Sequence, residues 1–209
     1  MERPIAAHKP ACAHSVYEKE NTGCAHEHFE KPTEMLSTEH RIIERMLDVL
    51  QRLTTEPVEK SLDDWKKALE FFSHFADRCH HCKEEQVLFP AMEEHGIPRD
   101  GGPIGVMLME HEEGRSYVRS MIAAITVVET RSEAAKKSLL NSARAYLQLL
   151  REHIQKEDEV LFRIADEVLA ADEQKTVLRS FEEHEAREMG AGAHEKYLKL
   201  VEELEAKHS

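Results

Sequence analysis

The 209-residue chain has no apolar run near the roughly 20 residues that a membrane-crossing helix needs. Its first residues carry no signal-peptide apolar core, so a cytoplasmic protein is expected. Glycine and proline are scarce, at 8 and 7, and only 6% of residues are aromatic. That leaves little material for the frequent turns of an all-β fold. Four cysteines are too few for a disulfide-stapled scaffold of this size and read as thiols. Positive charge is also short: the formal net charge is −13, which argues against nucleic acid or an anionic membrane as a partner. It suits a chain that handles cations. The residue in excess is histidine, with 14 copies.

Residues 1–32 hold prolines, two cysteines and four histidines without sustained periodicity, and are expected as a loosely ordered tail. Cys12/His14 and Cys24/His26/His28 lie there; their spacing matches no zinc module, and incidental metal affinity is the simpler reading. From residue 33 apolar residues recur at helical spacing. Helices are expected near 33–54, 61–95, 103–130, 132–170 and 173–205. Thr33, Ser61 and Ser132 are candidate caps, Pro90 is a candidate kink, and Gly190 and Gly192 interrupt the last helix. No segment alternates like a strand. Long helices with short links predict an all-α, up-down-up-down four-helix bundle over 33–205, with an additional C-terminal helix.

The chemistry concentrates in two segments. "RCHHCKEEQVLFP" lies within the second helix and "REHIQKEDEVLF" within the fourth. A zinc knuckle would need a turn between ligands, and nothing breaks the helix here. His81 and Glu85 are four apart and share a face, as do His153 and Glu157. The first and third helices each place one histidine in an apolar setting, His40 and His111. Counting residues from the connecting loops at about 1.5 Å each puts the groups on the second, third and fourth helices at similar depth, with His40 fitting less tightly. Imidazoles and carboxylates gathered inside a bundle are costly to bury unless something pairs with them, and a metal does. Nitrogen and oxygen donors without thiolate point to iron or manganese, with zinc accommodated. The expected ligands are therefore His40, His81, Glu85, His111, His153 and Glu157. Two bridging carboxylates, four imidazoles and a shared oxo or hydroxo leave about two open positions on a six-coordinate pair of ions.

Neighbouring residues receive lesser roles. His80 points about 100° from His81 and is expected at the surface or behind the ligands. Glu84 and Asp158 are expected in solvent, and His74 as a packed or networked histidine. Glu110 is weighed equally as an orienting carboxylate and a surface group. Tyr146 and Tyr117 are expected as structural tyrosines, and Cys79 and Cys82 as packed or solvent-facing thiols. His184 and His194 fall outside the four-helix set, on a helix read as a lid or interface.

At these residues the chain resembles the hemerythrin-like family of HHE cation-binding domains. The pattern H, H-x-x-x-E, H, H-x-x-x-E is met by His40; His81 and Glu85; His111; His153 and Glu157. The resemblance covers roughly residues 33–200. It implies a non-haem di-iron centre with a bridging oxo or hydroxo in a four-helix bundle. It also implies binding or sensing of oxygen or nitric oxide, repair of iron–sulfur centres, or iron handling, and the open positions with the four cysteines add reduction of peroxide or nitric oxide as an alternative. Whether the chain is an enzyme stays open, and a homodimer is compatible with the pattern. Oxygen carriers of the family have a further histidine one turn before the third-helix ligand. Here that residue is Met107, which implies a less shielded iron and redox chemistry rather than stable oxygen carriage.

Overall fold

A computed structural model describes residues 29–128, 132–190 and 192–209. The Cys/His motifs of the tail, at 12–14 and 24–28, lie outside these residues. The described residues form six helices joined by short links and contain no strand. Helix α1 spans Pro32–Leu53. After a single 3₁₀ turn at Val58–Lys60, α2 runs over 62–94. Helix α3 spans Pro103–Val128, α4 runs over 133–168, α5 spans Ala171–Glu188 and α6 spans Ala193–Lys207. Ser132 caps α4, its hydroxyl accepting from the Ala135 N–H at 3.3 Å. Ser61 begins α2 without capping it; its hydroxyl donates back to the Pro57 carbonyl. The expected fifth helix is two helices, because Gly190 and Gly192 take φ of 77° and 80°, left-handed values that end one helix and begin the next.

Two apolar clusters fill the bundle. One joins the end of α1 (Leu50, Leu53) with the start of α2 (Trp65, Leu69), the end of α3 (Ile125, Val128) and the start of α4 (Leu139, Ala143). The other joins the start of α1 (Leu36) with the end of α2 (Phe89, Met92), the start of α3 (Ile104, Met107) and the end of α4 (Leu161, Phe162). Starts meet ends in alternation, which is the up-down course expected of helices with short links. Helices α5 and α6 pack along the α1–α2 side of the bundle: Val177 and Phe181 join the second cluster, and Tyr197, Val201 and Leu204 the first. Among the described residues, no helix is long and apolar enough to cross a membrane.

Helices α2 and α4 are not uniform. The backbone widens to π-helical bonding at Phe72–His81 and Glu84–Leu88 in α2, and at Glu157–Leu161 in α4. In both, the amide five residues on, Phe89 or Phe162, donates to the carbonyl of Glu84 or Glu157. Pro90 does not interrupt α2. It follows a stretch where the ladder is already loosened, so its missing N–H costs little. Between the two apolar clusters, at the level of these wide turns, lies a layer of buried imidazoles and carboxylates.

Candidate metal centre

Seven side chains converge in that layer: His40 from α1; His80, His81 and Glu84 from α2; His111 from α3; His153 and Glu157 from α4. All are buried. Their donor atoms fall into two overlapping groups, each within 4.8 Å: His40, His80, Glu84 and Glu157; and His81, Glu84, His111 and His153. Glu84 belongs to both. Glu157 reaches both as well, at 3.2 Å from Nε2 of His40 and of His153 and 3.8 Å from Nε2 of His111.

The outward nitrogens are already held. Nδ1 of His40 lies 2.8 Å from Asp158, Nδ1 of His80 2.9 Å from Glu39, Nδ1 of His111 2.7 Å from Glu85, and Nδ1 of His153 3.0 Å from Glu110. A carboxylate at Nδ1 keeps the proton there and turns the Nε2 lone pair inward. His81 has Asp77 at 3.6 Å, beyond hydrogen-bond range. Each outer carboxylate is braced in turn. Arg41 and Ser37 hold Asp158, Lys83 holds Glu39, Lys156 holds Glu110, and Arg115 holds both Glu85 and Asp77. Phe162 stacks on His40 and Phe89 on His111, seating those rings against the second apolar cluster.

The inward atoms are the reverse. Nε2 of His40 and all four carboxylate oxygens of Glu84 and Glu157 make no hydrogen bond among the described residues. Nε2 of His111 faces Nε2 of His153 at 3.1 Å. So many uncompensated buried acceptors would cost several kcal/mol. The charge balance carries the same strain. Burial pushes both central carboxyls up, but the surrounding imidazoles hold Glu157 far below the usual range, and its charge helps keep Glu84 far above. Burial drives His80 down to about 4, and burial with three neighbouring imidazoles drives His81 well below its ordinary value. Burial also lowers His153, yet Glu157 and Glu110 outweigh it and lift the ring to about 9. Cations between these groups would satisfy the inward nitrogens and carboxylate oxygens at once, so the donor set fits a pair of metal ions.

Five of the six residues expected as ligands meet here. Glu85 does not. It sits outside the cluster, its Oε1 shared between His111 and Arg115 at 2.7 and 2.8 Å. Glu84, expected in solvent, takes the central place. His80, expected at the periphery, is 1% exposed. Adjacent residues both reach the centre, on different sides of it: His80 leans toward His40, with rings 4.6 Å apart, and His81 stacks on His111 at 4.0 Å. Asp158 and Glu110 prove to be outer partners of His40 and His153. Met107 packs in the second apolar cluster, while His81 adds a fifth imidazole beside His111. Tyr117 bonds Glu113 at the surface.

A register signal for Glu84 was available. Aligned on Val-Leu-Phe, residues 80–89 and 153–162 read HHCKEEQVLF and HIQKEDEVLF. That pairing matches His80 with His153 and Glu84 with Glu157. Pairing His81 with His153 leaves one residue between the glutamate and Val-Leu-Phe in α2 but two in α4.

The hemerythrin HHE cation-binding domain model matches residues 31–165, most of the chain and all seven converging residues. The chain belongs to this family. Uncharacterized proteins of Mycobacterium tuberculosis and Mycobacterium bovis are 25% identical over 176 residues, covering 82% of this chain and 68% of theirs. The iron-sulfur cluster repair protein YtfE of Salmonella schwarzengrund is 37% identical over 86 residues, 40% of this chain and 39% of its own. No solved structure matches. The hemerythrin-like domain of this chain is thus a metal-binding helical bundle.

A cavity of about 270 Å³ opens beside the layer, lined by Phe72, Asp77, His81, Gly114, Arg115 and Tyr146 among others. His81 is where it touches the donor cluster.

Proposed function

We propose that the chain holds two iron ions and uses them to bind or sense oxygen, nitric oxide or a related small molecule. His40, His80, Glu84 and Glu157 would hold one ion, and His81, Glu84, His111 and His153 the other, with Glu157 in reach of both. The observation that carries this reading is the division of four imidazoles, His40, His80, His111 and His153: the outer nitrogen is fixed by a carboxylate, and the inner one faces the central carboxylates. Imidazole and carboxylate donors without thiolate favour iron or manganese over copper, and zinc can be accommodated. Bound iron supplies reversible electron exchange and affinity for small oxidants.

The protein's own residues do the rest. The outer carboxylates keep the rings of His40, His80, His111 and His153 in one tautomer, so most of the donor set is preorganised. Phe89 and Phe162 close the layer against the second apolar cluster. The His40 group has one imidazole fewer than the His81 group, so fewer protein donors compete there with an incoming ligand. The cavity at His81 gives small molecules a way in.

Anaerobic loading with ferrous iron tests the reading. About two irons per chain are expected, with charge-transfer absorption in the near-ultraviolet after exposure to oxygen or nitric oxide. Less than one iron per chain would overturn it. A second reading, repair of damaged iron–sulfur centres, draws on the likeness to the Salmonella repair protein. It predicts restored activity in a nitrosylated or oxidised iron–sulfur enzyme mixed with the loaded protein, and no restoration would remove it.

A further inference from the structure

The centre is built twice. Helices α1 and α3 each carry a Glu-His pair, Glu39-His40 and Glu110-His111; α2 and α4 each carry H-x-x-K-E followed by an acid. The contacts repeat too. Glu39 holds His80 as Glu110 holds His153, and Lys83 holds Glu39 as Lys156 holds Glu110. Glu85 holds His111 as Asp158 holds His40.

The two lysines differ in surroundings. Lys156 is 41% exposed and spends its charge on Glu110, screened by water. Lys83 is 0% exposed, and its Nζ also lies 2.7 Å from Oε2 of Glu185. Glu185 sits on α5, beyond the family-matched segment, and among the described residues nothing in the α3–α4 half corresponds to it. A buried ammonium needs compensation that water cannot give, and one carboxylate would leave part of its charge uncompensated. Glu185 supplies the remainder. It thereby spares Glu39, which can pull harder on the Nδ1–H of His80 and make Nε2 a stronger donor.

We propose that Glu185 is a positioning residue for His80: through Lys83 and Glu39, the fifth helix sets how firmly the His40–His80 half of the centre holds its cation. This rests on the two-cation reading above. Helix α5 does not depend on Glu185 for its seat, because Val177 and Phe181 bury it in the second apolar cluster.

The test is ferrous-iron titration of the full chain under argon, comparing wild type, Glu185→Gln and the exposed same-helix control Glu183→Gln. In Glu185→Gln one iron binds as in wild type and the other roughly tenfold more weakly, the low end of what losing an outer partner costs. Glu183→Gln behaves as wild type. Equal weakening of both irons, no weakening, or the same change in the control would overturn the inference. A metal-free readout keeps the two claims apart. The ring ¹⁵N resonances of His80 should shift toward mixed tautomers in Glu185→Gln, while those of His153 stay put. An unchanged His80 spectrum sinks the inference. Absence of iron in the wild type sinks only the reading it rests on.

Discussion

Helices α1–α2 and α3–α4 make the same half-centre from nearly the same letters, and they differ in two places. Where α4 has Ile154, α2 has His81, so one group of donors has three imidazoles and the other two. Where Lys156 meets solvent, Lys83 is sealed under α5. The repeat shows which features the donor geometry needs: a glutamate just before one histidine, a lysine just before the shared carboxylate, and a phenylalanine five residues after it. The differences show what was added to it. A further nitrogen makes the two positions unequal, and an extra helix reaches one of them.

The largest break comes from the carboxylates at the shared point. Glu84→Ala or Glu157→Ala removes a group that both positions use, and both metals should be lost, read as metal per chain. Glu85→Ala, one residue away, should retain both and loosen only the His111 side, by roughly 10–100-fold. Equal loss in Glu84 and Glu85 variants would mean the register assigned to α2 is wrong. In metal-free protein Glu84→Met should raise stability by about 1–4 kcal/mol, because an unpaired buried carboxyl becomes apolar packing. Thermal unfolding with and without iron would show the two effects with opposite sign.

That register is also where sequence reasoning failed. The bundle, the bounds of its first four helices and five of the converging residues followed from apolar periodicity and from the placing of histidines and acids. Glu84 and His80 were missed because an α-helix spaces side chains by about 100°, which makes neighbours look like alternatives. The π-helical turns at Phe72–His81 and Glu84–Leu88 change which residues face inward, and no propensity marks them. The Val-Leu-Phe alignment would have corrected the register. Glu185 could not have been found that way, since its partner lies 102 residues earlier in the chain.

Next in size are the imidazoles. His80→Ala and His153→Ala are equivalent in the repeat, so each should release the metal of its own half first, leaving about one ion per chain. His81→Ile copies α4 into α2 and makes the halves alike. It should weaken the His111–His153 position and bring the two affinities together, read as a titration that loses one of its two steps. If His81→Ile instead abolished both sites, the inequality would not reside in His81.

The smallest effect serves as a control far from both halves. Asp64, at the start of α2, is 2% exposed and lies 2.7 Å from Nζ of Lys207 and 3.1 Å from Nε2 of His208, tying the end of the chain to α2. Burial alone would raise its carboxyl, but Lys207 and His208 outweigh it and hold it below the ordinary 3.8. A carboxyl depressed by folding stabilises above its unfolded value, and that contribution disappears as pH falls through the folded one. Asp64→Asn should therefore cost roughly 1 kcal/mol near neutral pH, since Lys207 is largely in solvent. The cost should shrink below pH 3.8 and leave iron per chain unchanged. A loss of iron in Asp64→Asn would mean that the two ends of the bundle are coupled, and that affinity changes in the half-centre variants are not local.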